Sequence, residues 1–150
     1  MKITKSKKRD LEEILDLQKL AYIQEAELYE NLNISPLHDT LGHIEKEFEE
    51  KIIFKATIEG KISGSIRAYP NNGTVFISKL IIHPEAQNKG FGRKLMLYLE
   101  LQFPNAKRFE LFTAHKSLKN LHLYSSLGYK KFKREKLESN PDMIFLEKMT

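Results

Sequence analysis

The sequence predicts an α+β fold: a mixed, mostly antiparallel sheet of about seven strands with helices on both faces. Three observations carry that expectation. The chain has 150 residues, 41% hydrophobic and 30% charged, the size and balance of one soluble domain that buries roughly two-thirds of its unfolded surface. Two helix-period segments precede three β-rich runs joined by short turns, the pattern of helices leading into an antiparallel meander. Beyond Pro84, helix and strand patterns alternate, which makes the sheet mixed.

The elements follow in order. A first strand is expected over 1–6. From Asp10 onward, Leu11, Ile14, Leu15, Leu17, Leu20, Ala21, Ile23, Leu28 and Leu32 recur mostly at helical spacing, so a helix is predicted over about 10–31, ending near Asn31-Leu32-Asn33. Ser35-Pro36 reads as a loop. A second helix starts near Asp39 or Thr40, either able to cap it, and carries Leu41, Ile44 and Phe48. Residues 52–58 are β-rich, Glu59-Gly60 turns them into 61–69, and Asn71-Asn72-Gly73 is a hairpin signal leading into 74–82. Pro84 ends that strand. A helix is expected over about 90–103, stopped before Pro104, then a strand near 108–114 and a helix near 117–127 ended by Gly128. Strands near 129–137 and 143–149 complete the set. No repeat or low-complexity linker interrupts the chain, so residues 1–150 read as a single domain.

Composition excludes several classes. There is no cysteine, hence no disulfide, thiolate metal site or cysteine nucleophile. No run reaches the ~18 apolar residues of a membrane span, and Met1-Lys2-Ile3-Thr4-Lys5 is no signal-peptide core. The expected location is the cytoplasm, with no membrane partner. The histidines at 38, 43, 83, 115 and 122 show no metal-ligand pairing, so no metal is expected. His83, next to Pro84, reads as a strand-end residue. The net charge of +5 is divided: residues 10–50 carry −10 and residues 51–150 carry +10. Either this is an acidic helix pair beside a basic sheet surface, or it reflects two partners of opposite sign.

The strongest chemical signal is His83-Pro84-Glu85-Ala86-Gln87-Asn88-Lys89-Gly90-Phe91-Gly92-Arg93-Lys94, between a β-branched strand and an amphipathic helix. Glycines let backbone approach a ligand, and consecutive N–H groups at a helix start form an anion cradle. It is no Walker A loop, because Arg93 follows Gly92. It is no dinucleotide fingerprint either, because Leu95 stands where a third glycine is needed. Gln87-x-x-Gly90-x-Gly92 resembles the pyrophosphate-binding signature of the GNAT N-acetyltransferase superfamily. That resemblance implies that Gln87, Asn88, Lys89, Gly90 and Gly92 contact the pyrophosphate of acetyl-CoA, with Arg93 at the next helical position. It implies also that the backbones of Leu80 and Ile82 meet the pantetheine arm. Position 88 is usually glycine in that family, and asparagine is the residue best able to replace it in the left-handed region.

A second stretch, Ser117-Leu118-Lys119-Asn120-Leu121-His122-Leu123-Tyr124, ahead of Gly128-Tyr129, puts Ser117, Asn120 and Tyr124 on one helical stripe. It looks like the GNAT segment whose asparagine contacts the cofactor and whose tyrosine protonates the leaving thiolate. The resemblance gives Tyr124 the catalytic role and Asn120, with Ser117 as the alternative, the cofactor contact. A phenol of pKa ~10 is close enough in strength to a thiol of pKa ~8.5 to serve. The implied reaction is direct acetyl transfer from acetyl-CoA to a primary amine, with a strand amide, that of Ile82, on the oxyanion. No base is assigned: Glu110, Glu25, Glu27 and a water chain all remain open.

The family's first two helices wall the acceptor site, and here they are acidic. A cationic acceptor, small amine or peptide, is therefore expected, with Tyr22, Glu25, Glu27 and Tyr29 as candidate lining. Arg67 reads as a surface ion pair or as a partner for an acceptor carboxylate. A homodimer is compatible with the family. Two other classes compete: an acyl-CoA-binding sensor without turnover, and a basic nucleic-acid module built on Lys5-Ser6-Lys7-Lys8-Arg9 and Lys130-Lys131-Phe132-Lys133-Arg134. No nucleic-acid partner is expected, since residues 10–50 are acidic and no recognition motif is present.

Overall fold

Side chains alternate along the β-rich runs, and the sheet's two faces collect helices accordingly. The computed structural model describes residues 1–29, 34–136 and 141–150. Its strands are β1 (Lys2–Lys5), β2 (Ile52–Ile58), β3 (Lys61–Asn71), β4 (Thr74–Ile82), β5 (Arg108–Ala114), β6 (Lys130–Glu135) and β7 (Met143–Met149). Its helices are α1 (Leu11–Leu28), α2 (Leu41–Glu50), α3 (Phe91–Leu101) and α4 (Leu118–Ser126). The seven strands form one sheet in the order β1-β2-β3-β4-β5-β7-β6. Only β4 and β5 are parallel, and α3 fills the crossover that a parallel pair requires.

Each element starts and stops for a local reason. The β3–β4 hairpin turns at Asn72 (φ +51°) and Gly73 (φ +84°), the two left-handed residues that a right-twisted ribbon needs. Thr40, rather than Asp39, caps α2: its Oγ1 accepts from His43 N–H at 3.2 Å, while Thr40 N–H reaches His43 Nδ1 at 3.4 Å. His83 caps the turn after β4 through Nδ1, which accepts from Glu85 N–H at 3.1 Å. Helix α1 stops at Leu28, short of its expected end. The Asn31-Leu32-Asn33 stop and the last residue expected for the sixth strand lie outside the described residues.

One core joins α3 and α4 to the sheet: Leu95, Met96, Leu99 and Tyr124 pack on Phe54, Ile66, Val75, Ile77, Leu111 and Leu146. The second joins α1 and α2 to the opposite face, with Leu11, Ile14, Leu15, Leu17 and Ile44 on Ile53, Ile62 and Ile81. Each fully buried aliphatic contributes about 1.5–3 kcal/mol. The periodicity overstates the reach of α1, because Leu20, Ile23 and Leu28 are exposed. Its last turns keep Ala26 buried and present Gln24, Glu25 and Leu28 to a cleft.

Strand β4 changes face partway. Val75 and Ile77 point to the α3 side but Ile81, of the same parity, points to α1. A bulge makes the switch: β3 pairing shifts between Ser65↔Ile81 and Arg67↔Ser78, and Lys79 has φ +53°. One extra residue inverts every side chain beyond it.

Candidate functional site

Strands β4 and β5 pair only over Thr74–Phe76 and Arg108–Glu110. Beyond that they diverge, and the wedge opens into a cleft of about 930 Å³ between α1, β4, β5, the start of α3 and α4. The edge of β4 is left without a partner strand there. His83 N–H donates to Ser63 O at 2.8 Å, so by the alternation of peptide groups the Ile82 N–H and C=O face away from β3. Gln87 Nε2 donates to that carbonyl at 3.1 Å, which leaves the Ile82 N–H directed into the wedge.

The loop entering α3 is built to expose amides. Asn88 (φ +62°) and Gly90 (φ +81°) both take left-handed backbone. Gly90 is the N-cap of α3 and no side chain caps that helix. Its first N–H groups have no intrahelical acceptor and carry the positive end of the dipole. Gly92 follows in the first turn of α3, and a Cβ there would make ordinary contact with Leu123 of α4, 3.4 Å from its Cδ2. Lys119 Nζ reaches Asn88 Oδ1 at 3.3 Å, and Arg93 Nη1 donates to Ser126 Oγ at 3.1 Å. Of the residues singled out from sequence, Leu80, Ile82, Gln87, Asn88, Gly90, Gly92, Arg93, Asn120 and Tyr124 line the cleft. Lys89 is exposed and does not.

Tyr124, on α4, is 5% exposed, and its ring lies 6.1 Å from that of Tyr129. Burial, then Tyr22 and Glu25, push its pKa well above the usual tyrosine value. Tyr22 is pushed up to about 12 by burial and by Glu25, so these three groups share one corner. Ser117 Oγ donates to the Glu25 carboxylate, 2.8 Å from one oxygen and 2.7 Å from the other. Among the described residues, Asn120 keeps only a 3.4 Å contact from Nδ2 to Thr113 Oγ1. The Ser117 hydroxyl is thus committed, whereas the Asn120 amide is nearly free. Lys116 N–H donates to Tyr29 Oη at 2.6 Å, which latches the end of α1 over the β5–α4 loop.

Expectations change at Arg67, Glu110 and Glu27. Arg67 is no surface residue: it is 0% exposed and joins Glu47 through Nη1 and Gln18 Oε1 at 2.6 Å through Nη2. It sits where β3 passes under α1 and α2, so it clamps those helices to the sheet. Glu110 lies at the paired end of β5, outside the cleft, and bonds Arg108 at 2.8 Å. Glu27 is also exposed and outside the lining, leaving Glu25 as the cleft's acid among the described residues. Of the described acids in 10–50, Glu12, Glu13, Asp16, Glu27, Glu49 and Glu50 are exposed, while Asp39 and Glu47 are engaged with Gln18 and Arg67. Sequence reasoning missed Lys79, which lines the cleft. Its signal was a single charge inside Ile77-Ser78-Lys79-Leu80-Ile81-Ile82. No metal-binding group of three or more ligands, and no helix long and apolar enough to cross a membrane, occurs among the described residues.

The unpaired edge at Leu80 and Ile82 and the glycine-led start of α3, the two segments that carried the sequence resemblance, meet in this cleft, and the model of the acetyltransferase (GNAT) family matches residues 11–129. The chain belongs to the GNAT acetyltransferase family. A curated relative, the UPF0157 protein YqkA of Bacillus subtilis (strain 168), is 29% identical over 119 residues, covering 79% of this chain and 34% of the relative. The chain thus spans about a third of that relative's length. Among solved structures, PaiA N-acetyltransferase from Thermoplasma acidophilum, in complex with coenzyme A, superposes with a TM-score of 0.81 at 15% identity over 99% of this chain and 98% of that one. A spermidine N-acetyltransferase SpeG chimera from Vibrio cholerae and hSSAT gives 0.77 at 22% identity over 99% and 94%. At these identities the two structures speak for the GNAT fold alone.

Proposed function

We propose that this GNAT domain transfers the acetyl group of acetyl-CoA directly to the primary amine of a small molecule or peptide. The observation that carries the reading is the wedge itself. An unpaired β4 edge with the Ile82 N–H directed inward meets the uncapped start of α3 and the Tyr124 hydroxyl, unpartnered among the described residues, in one cleft. Those groups suit the two ends of acetyl-CoA. The α3 amides, Asn88 and Gly90, flanked by Arg93 and Lys119, match a pyrophosphate, and the β4 edge at Leu80 and Ile82 matches an extended amide-bearing arm.

Acetyl-CoA supplies the thioester and a thiolate leaving group. The Ile82 N–H donates to the carbonyl oxygen as it gains charge. Tyr124 gives its proton to the departing sulfur; burial, Tyr22 and Glu25 raise its pKa, so the hydroxyl is protonated when the thioester binds. Asn120 holds the arm of the cofactor. Glu25, steadied by Ser117, receives the acceptor's ammonium and then its proton. The cationic part of the acceptor is thus the amino group that Glu25 meets. With no cysteine, no cysteine acyl-enzyme forms. The setting is the cytoplasm, where acetyl-CoA is the donor at hand.

The test is thiol release from acetyl-CoA with a panel of primary amines, run on the wild type and on Tyr124→Phe. Amine-dependent release that falls on substitution is the expected result. Saturable acetyl-CoA binding with no amine-dependent release from any acceptor would instead point to an acyl-CoA sensor.

A further inference from the structure

The roles above leave Lys79 unused. It occupies the β4 bulge at φ +53°, a backbone conformation unfavourable for a lysine that re-aims the side chain off the strand's alternation. The side chain lines the cleft, with its ammonium 5.9 Å from the centre of the Tyr22 ring. No carboxylate among the described residues lies within ion-pair distance of it. The two acids that attract it have other partners. Glu47 holds Arg67 and Lys51, and Asp39 accepts from Gln18 Nε2 at 2.7 Å. Buried Arg67 adds positive charge nearby, and its Nε has no hydrogen-bond partner. Burial and Arg67 together hold the Lys79 ammonium below the usual lysine range. An unpaired, partly desolvated cation in a cleft raises the free energy of the empty site and is relieved when an anion enters. Glu25 lies at the same corner, close enough to Tyr22 to raise its pKa. Tyr22 therefore has a free cation against its ring and an acid in electrostatic reach.

We propose that the acceptor carries a carboxylate as well as its amine, Lys79 binding the carboxylate while Glu25 takes the amino group. The substrate class is an amino carboxylate, and the assignment rests on the acetyl-transfer reading above. CoA phosphates do not fill this role in that reading, because they seat at the start of α3.

The experiment uses the full chain with saturating acetyl-CoA and reads thiol release. Free α- and ω-amino acids are paired with their carboxamides, and spermidine serves as a carboxylate-free control. The expected result is a preference of at least tenfold in kcat/KM for the carboxylate member of each accepted pair. Lys79→Met should raise KM for that member at least tenfold and abolish the preference, with acetyl-CoA affinity unchanged, and Lys79→Arg should restore it. Equal turnover of acid and amide overturns the proposal, as does a better reaction with spermidine. No turnover of any carboxylate-bearing amine by a chain that binds acetyl-CoA overturns it too, as does a Lys79→Met variant that loses acetyl-CoA affinity instead. Absence of acetyl-CoA binding in the wild type would bring down the acetyl-transfer reading itself, a separate outcome.

Discussion

At the scale of single residues, Tyr124 and Gly90 give the sharpest consequences. Tyr124 must be protonated to donate, and burial raises its pKa well above the tyrosine norm. Its ionisation should therefore impose no loss of kcat up to pH 10, as a pH–rate profile would reveal. Tyr124→Phe should lower kcat by about 10²-fold or more with acetyl-CoA affinity unchanged, because the hydroxyl has no hydrogen-bond partner among the described residues to lose. Gly90 sits at φ +81° with open space where a Cβ would go. Gly90→Ala should thus cost about 1–2 kcal/mol in backbone strain rather than through a clash, read as a lower urea midpoint and weaker acetyl-CoA binding. The residues that were legible in the sequence are those whose chemistry is local. Asn88 and Gly90 lie in a contiguous loop, and both take the left-handed backbone expected of them. Lys79 was not legible, because a bulge exists only relative to the partner strand's register. The Glu25–Ser117 bond was hidden likewise, its members being 92 positions apart.

Among elements, the Arg67 clamp decides whether α1 and α2 stay on the sheet. A strand pattern says that Arg67 faces one side of β3 but not what covers that side, so its burial could not be read from sequence. Removing its carboxylate by Glu47→Ala leaves a buried guanidinium uncompensated and should cost about 3 kcal/mol, measurable by urea denaturation. Burial alone would raise the Glu47 pKa, yet Lys51 and Arg67 outweigh it and hold the carboxyl below 4.5. A depressed folded-state pKa means that the pair's contribution is complete above the unfolded value and lost as pH falls through the folded one. Wild-type stability should therefore decline below about pH 4.5 more steeply than that of Glu47→Gln. The same periodicity that found α1 misjudged its far end: Leu20, Ile23 and Leu28 follow the helical repeat but stand exposed, while Ala26 is the buried residue there.

For the whole molecule, the order of helices and hairpins was enough to foresee a mixed seven-stranded sheet, since short turns force antiparallel neighbours and a helical crossover permits the one parallel pair. The wedge between β4 and β5 follows from that pairing and from the Lys79 bulge, and it is the feature on which a function depends. Residues 51–150 carry a charge of +10, so binding of a polyanionic cofactor should weaken as salt rises. The most direct measurement is a calorimetric titration of the full chain with acetyl-CoA, with 3′-dephospho-CoA and ATP as controls. Saturable binding of acetyl-CoA and none of ATP is the expected result. No heat at millimolar acetyl-CoA would contradict the cradle, leaving the glycine turn as a structural joint between β4 and α3.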